Sequence, residues 1–251
     1  MKNAHDILEK LAVDQKFAKY RFTWSETERR FSTLSEASRF FIEVMLNQGA
    51  RYEEIAAAAE HFVSTHFPKE SIWDDIAATP LDSLASICQR GYNNKAYARR
   101  FLYNHFHKYL KENAKIIVDK YHSDPRTIWN VAAKDVELIY HMLKAFHGIG
   151  DALAKIAQAT LVRKYGLAGG TQSKQYLKIK PDIHVNRVLY RMGLAEKETA
   201  KSAIRCVEEA GVSSQADLDA VLVNAGRKYC RKSEPLCDEC YLNIYCKKNL
   251  E

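Results

Sequence analysis

Residues that break helices are scarce in this chain, with five prolines and ten glycines among 251 residues. Also missing is any apolar run near the roughly 20 residues that a membrane helix needs, any internal repeat and any low-complexity tract. The opening stretch, M-K-N-A-H-D-I-L-E-K-L, is amphipathic and carries acids, which a signal or transit peptide would not. These absences point to a soluble, intracellular chain with no membrane segment. Hydrophobic residues make up 47% of the sequence, enough for a full core. With long stretches of helical period and few breakers, the expected class is all-α. Negative charge is in deficit: 38 Lys and Arg against 31 Asp and Glu leave a net +7. Such a surface suits a polyanionic partner, although basic charge alone does not name one.

The spacing predicts a first helix over 4–20, with Ile7, Leu8, Leu11 and Phe17 on one side. Further helices are expected over 35–46, 52–66, 82–89, up to about 120, 134–146, 151–165, 183–192, 196–210 and 215–226. Asp124-Pro125 breaks the chain, and Gly49 is placed to cap the 35–46 helix. Residues 166–180, G-L-A-G-G-T-Q-S-K-Q-Y-L-K-I-K, lack helical period and are expected to form a mobile loop.

Two of the six cysteines, Cys88 and Cys206, sit alone on helical patterns and are expected to be buried thiols. The other four, Cys230, Cys237, Cys240 and Cys246, read C-x6-C-x2-C-x5-C within seventeen consecutive residues. Four thiolates so close in the chain meet at one point only by wrapping around something, and an iron–sulfur cluster is held this way. Structural zinc prefers two close pairs joined by a longer spacer, whereas only Cys237 and Cys240 form a close pair here. A disulfide pair is the remaining alternative, with no other mark of secretion to favour it. The favoured occupant is a [4Fe–4S] cluster.

Two further features carry possible chemistry. Gly148-Ile149-Gly150, between two helical stretches, allows a tight turn whose following helix presents free amides. Such amides bind phosphate without reading sequence, yet an ordinary αα-hairpin has the same pattern. Asp182, in P-D-I-H-V-N-R-V, is placed to cap the next helix. A capping carboxylate that faces a cleft can also stabilise a developing cation.

In this order, the hairpin, the aspartate and the cysteine loop resemble the helix-hairpin-helix DNA glycosylase superfamily, most closely its endonuclease III-like, cluster-bearing branch. V-M-L-N-Q at 44–48 looks like the helix end whose glutamine enters the DNA stack. G-Y-N-N-K-A at 91–96 looks like the turn into the next barrel helix, F-H-G-I-G-D-A-L-A at 146–154 like the hairpin, and P-D-I-H-V-N-R-V at 181–188 like the segment bearing the family aspartate. G-R-K-Y-C at 226–230 opens the matching cysteine spacing. The resemblance implies a two-lobed fold: a six-helix barrel over 31–167 and an iron–sulfur domain from 1–30 and 168–251. Damaged or mismatched double-stranded DNA would lie across the cleft, with one extruded nucleotide between Asp182 and the glycine bend. It further implies Asp182 as the catalytic carboxylate, Gln48 filling the vacated stack, and Gly148, Ile149 and Gly150 gripping the backbone. Arg231 and Lys232 would add phosphate contacts, and the protein would work as a monomer. One position departs from the pattern: bifunctional members carry a Schiff-base lysine two residues after the second hairpin glycine, and Ala152 stands there. A methyl group cannot form an imine, so a monofunctional glycosylase is expected. The alternatives are a lyase using an unaligned lysine, such as Lys144 or Lys155, and a non-catalytic DNA-structure-binding protein. Lys174, Lys178 and Lys180, in the 166–180 stretch, are candidates for touching DNA or shaping the base pocket. A separate domain for the base opposite the lesion is not evident, which disfavours an adenine-mismatch reading.

Overall fold

The computed structural model describes residues 4–21, 31–47, 52–93, 105–131, 135–180 and 182–250. Among these residues every regular element is helical. The chain divides into two compact units, one of Met1–Thr27 with Val162–Glu251, the other of Glu28–Leu161.

The second unit is built from α2 (Leu34–Leu46), α3 (Tyr52–His66), α4 (Ile72–Ala78), α5 (Leu81–Asn93), α6 (Phe106–Tyr121), α7 (Arg126–Asn130), α8 (Val136–Lys144) and most of α9 (Asp151–Tyr165). Aromatic rings fill its core. Phe41 meets Trp73 and Phe146 edge-on at centroid distances of 5.5 and 4.9 Å, the offset geometry that ring quadrupoles favour. The buried Trp73 indole donates to Ser38 Oγ at 2.9 Å, so its one polar atom is satisfied. The helices α4 and α7 were not anticipated, because five to seven residues are too few to display a helical period. The helix α5 runs on through Gly91 to Asn93, where a turn was expected at 91–96. Gln48, Gly49, the rest of that turn from Asn94, and Lys134 lie outside the described residues.

The first unit joins the two ends of the chain. The helix α1 (Ala4–Val13) packs on α11 (Ala200–Ala210) and α12 (Gln215–Lys228), and α10 (Ile183–Arg191) packs on both. Ile7, Leu8, Leu11 and Phe17 are all buried in this core. The expected single helix over 4–20 is instead two pieces. Asp14 adopts an extended conformation and accepts from Lys16 N at 3.0 Å, capping a 3-10 helix over Gln15–Tyr20. Polar contacts fasten this segment down: His5 Nδ1 lies 2.6 Å from Ala210 O, and Lys16 Nζ donates to Tyr245 OH at 2.7 Å.

The mobile loop expected over 166–180 is helical over most of its length. Leu167–Tyr176 forms a 3-10 helix in which Leu167, Gly170 and Ser173, spaced by three, are buried. A 3-10 helix has three residues per turn, so a search at 3.6 passes over it. Leu177 and Ile179 then extend the core.

One glycine governs how closely α10 and α12 approach. A Cβ at Gly226 would stand 2.6 Å from His184 Cβ and 3.0 Å from His184 O. Backbone cannot step aside as a flexible side chain can, so the helices would have to part. Gly226→Ala is expected to destabilise the protein by about 2 kcal/mol, overpacking outweighing the gain in helix propensity. A denaturant midpoint lowered at constant m-value checks it.

Candidate active site and cysteine centre

Asp182 stands immediately ahead of α10 with φ −80° and ψ 174°. Its Oδ1 accepts from His184 N and Val185 N, each at 2.8 Å. Two amides and the helix dipole therefore hold the carboxylate in one orientation. No described residue donates to Oδ2. The residue is half-buried rather than sealed in, and Ile183 beside it is 68% exposed. Such an acid can accept a proton or face a cation through one oxygen while the other stays engaged.

The same helix reaches the cysteines at its far end. Arg187 and Arg191, one turn apart, are both buried. Arg187 donates to Cys230 O at 2.6 Å and Gly226 O at 3.2 Å. Arg191 donates to Arg231 O at 2.6 Å, Lys232 O at 3.0 Å and Cys230 Sγ at 3.6 Å. Two guanidinium groups thus bind the turn that carries the first cysteine. Neither arginine was singled out from the sequence. The available signal was their i, i+4 spacing on the apolar face with Val188, since a buried arginine must find acceptors.

The four cysteines are free, half-buried, and line one pocket with Arg191, Tyr229, Asn243, Lys248 and Leu250. Among the described residues, no three His, Cys, Asp or Glu side chains converge closely enough to hold a single metal ion. Lys248 N donates to Cys246 Sγ at 3.4 Å. Burial pushes the Cys240 and Cys246 thiols up, the nearby amides of Leu242 and Lys248 oppose it, and the neighbouring cysteines add to the rise. Four thiolates in this pocket would repel one another, so the set calls for positive charge at its centre. Cys88 and Cys206 differ in kind. Each is buried alone, and burial raises them to about 12 and about 11, leaving inert core thiols.

The glycine bend belongs to the second unit. Gly148 has φ +75°, and a Cβ there would meet Tyr109 Cδ2 at 2.7 Å, so glycine is required on both counts. Ile149 is buried and Gly150 is exposed with open space around it. The first turn of α9 leaves its leading amides without intrahelical acceptors, and Ala154 N bonds back to Gly150 O at 2.9 Å. The bend is held from outside by Asn113 on α6. This buried amide donates to His147 O and accepts from His147 N, both at 2.9 Å. Asp151, at the head of α9, pairs with Lys144 at 3.0 Å and Lys155 at 3.1 Å and accepts from Tyr140 OH. Those donors, the tyrosine first, hold its carboxyl well below the usual range. Ala152 follows, exposed on the same turn.

No family model matches the chain. Endonuclease III of Sulfolobus acidocaldarius is 28% identical over 119 residues, which are 47% of this chain and 48% of that protein. The match therefore spans about half the length of that curated relative. Among solved structures, a non-covalent endonuclease III–DNA complex superposes with a TM-score of 0.60 at 16% identity, covering 99% of this chain and 97% of that one. A trapped endonuclease III–DNA covalent intermediate gives 0.59 at 17% identity over the same shares. A thermostable thymine-DNA glycosylase gives 0.56 at 16%, covering 98% of this chain and 94% of that one. This chain has the endonuclease III-like, helix-hairpin-helix glycosylase fold. Within this fold Asp182 and the four cysteines fall in one unit and Gly148-Ile149-Gly150 in the other. Arg231 and Lys232 project exposed side chains while Arg191 holds their carbonyls. Among the described residues no helix is long and apolar enough to cross a membrane.

Proposed function

We propose that this protein is a DNA repair glycosylase that extrudes a damaged or mismatched base and hydrolyses its N-glycosidic bond, leaving an abasic site. The observation that carries the reading is Asp182: two amides hold one carboxylate oxygen, and no described group donates to the other. As the bond breaks, the base leaves with the electron pair and positive charge grows on the deoxyribose. The carboxylate stabilises that charge and orients a water molecule. Water adds its oxygen to C1′ and gives up a proton, for which the carboxylate is the nearby acceptor. Gly150 and the leading amides of α9 are offered to phosphate while Gly148 shapes the turn. Ile149, expected to grip the backbone as well, instead donates its amide to Phe146 O at 3.2 Å. Arg231 and Lys232 supply charge, and Gln48 fills the gap left by the extruded base. The partner is double-stranded DNA bound by a monomer in the cytoplasm.

The cysteine pocket fits a [4Fe–4S] cluster better than zinc. One tetrahedral zinc needs all four sulfurs about 2.3 Å from a single point, whereas a cluster gives each thiolate its own iron and tolerates a wider ring. Cys230, Cys237, Cys240 and Cys246 would hold it. When bound it crosslinks the loop bearing Arg231 and Lys232, and it supplies no step of the hydrolysis.

Hydrolysis without strand cleavage is supported by the state of the lysines near Ala152. Lys144 and Lys155 both pair with Asp151, and that pairing, with Asp151 first, raises Lys144 further above the range where an amine is nucleophilic. The test is a panel of duplexes, each carrying one alkylated, deaminated, oxidised or mismatched base, scored with and without alkali. Base release whose strand breaks appear only after alkali is expected. A borohydride-trapped covalent adduct would overturn the monofunctional reading, and binding without release of any base would overturn the enzymatic one.

A further inference from the structure

Just ahead of Asp182 the chain lies against α12, and what fastens it there is unusual. Asp219 on α12 is 1% exposed, a carboxylate almost wholly removed from water. Its Oδ1 accepts from Lys180 N at 3.0 Å, and its Oδ2 stands 3.2 Å from Lys180 Nζ as an ion pair without hydrogen-bond alignment. One helical turn earlier, the buried Gln215 accepts from Ile179 N at 3.1 Å. Lys180 O in turn accepts from Asp182 N at 2.8 Å. A continuous set of bonds therefore runs from the interior of α12 through residues 179 and 180 to the backbone of Asp182.

A hydrophobic pair would pack such a segment equally well, since a buried ion pair is a poor source of stability. An ion pair adds direction and sign. It fixes the position of Lys180, and it keeps an ammonium group two residues from Asp182 occupied by another carboxylate. Burial raises the Asp219 carboxyl, the lysine opposes that rise, and the charge of Asp182 adds to it. The two acids are thus electrostatic neighbours, with Lys180 as the cation between their demands.

We propose that Lys180 and Asp219 are positioning residues for Asp182, holding its carboxylate aimed at the sugar and keeping the lysine from neutralising it. This rests on the reading of Asp182 as the group that meets the sugar cation. It predicts that breaking the pair weakens recognition of positive charge at the sugar while leaving DNA binding intact.

The test compares two duplexes that differ at one nucleotide. One carries a pyrrolidine abasic mimic, cationic at the sugar, and the other a neutral tetrahydrofuran. The identity of the lesion does not enter. The wild-type protein should favour the pyrrolidine duplex by about 10²-fold, at the lower end of transition-state mimicry. Asp182→Asn should bring the ratio near one. Lys180→Met and Asp219→Asn should each lower it about tenfold with tetrahydrofuran affinity within about twofold of wild type, and Lys180→Arg, which keeps the charge, should restore it. A wild-type ratio in Asp182→Asn would overturn the role of Asp182 itself. Collapse in Asp182→Asn with wild-type ratios in Lys180→Met and Asp219→Asn would overturn the positioning role alone. An equal loss on both duplexes, unrelieved in Lys180→Arg, would also overturn it, because a merely structural role moves both affinities together.

Discussion

Asp182→Asn should release base at about 10²–10³-fold below the wild-type rate, the loss expected when one group aimed at a developing charge is removed. The fold should hardly notice. Asparagine caps a helix as well as aspartate does, so its Oδ1 can still accept from His184 N and Val185 N, now at 2.8 Å. Only the negative charge near the helix N-terminus is lost, worth a few tenths of a kcal/mol at an accessible site. Asp182→Ala makes the useful contrast. It removes the cap as well and should cost about 1 kcal/mol of stability on top of the same catalytic loss. Single-turnover base release, read beside thermal melting, separates the two effects. Excision at the wild-type rate by Asp182→Asn would remove this carboxylate from the chemistry.

The second large effect is expected at the cysteine loop. Cys237→Ser should abolish the visible absorbance expected of the proposed iron–sulfur cluster and lower the stability of the first unit by about 5 kcal/mol or more, given the roughly 10–16 kcal/mol that structural metal sites can supply. The loss should spread beyond the loop. Leu242 and Tyr245 are buried in the unit's core, Tyr241 OH donates to Val221 O at 2.6 Å, and Tyr20 stacks on Tyr241 at 3.8 Å. A loop without its central crosslink therefore pulls on the N-terminal 3-10 helix as well as on α12. Limited proteolysis should cut first within 231–234, which is exposed. Iron analysis of the wild-type protein should give about four atoms per chain. One zinc per chain and no iron would overturn the assignment.

Much of this site was legible beforehand, because its signals are local. Four cysteines in seventeen residues, an aspartate one place before an amphipathic helical stretch, and two glycines around one isoleucine each state their geometry within a short window. The helices α3 and α9 begin and end where their periodicity does. What escaped was polar and long-range. Asn113 reaches residue 147, Arg187 and Arg191 reach the 226–232 stretch, and Asp219 reaches residue 180. A buried polar side chain looks in sequence like a surface one until its partner is known, and nothing in a single chain marks partners some forty positions away. The 166–180 stretch was misread for another reason. Leu167, Gly170 and Ser173, buried in its 3-10 helix, lie three apart, a spacing that resembles neither a strand nor an α-helix.

The clamp on His147 has a consequence for taking this protein apart. The bend around Gly148 is shaped by an amide that enters the sequence 34 residues earlier, on α6. An excised peptide spanning only α8 and α9 would keep both glycines yet lose the two contacts that brace the corner between them. Transplanting this elbow onto another scaffold therefore means importing a third helix, with its asparagine in register.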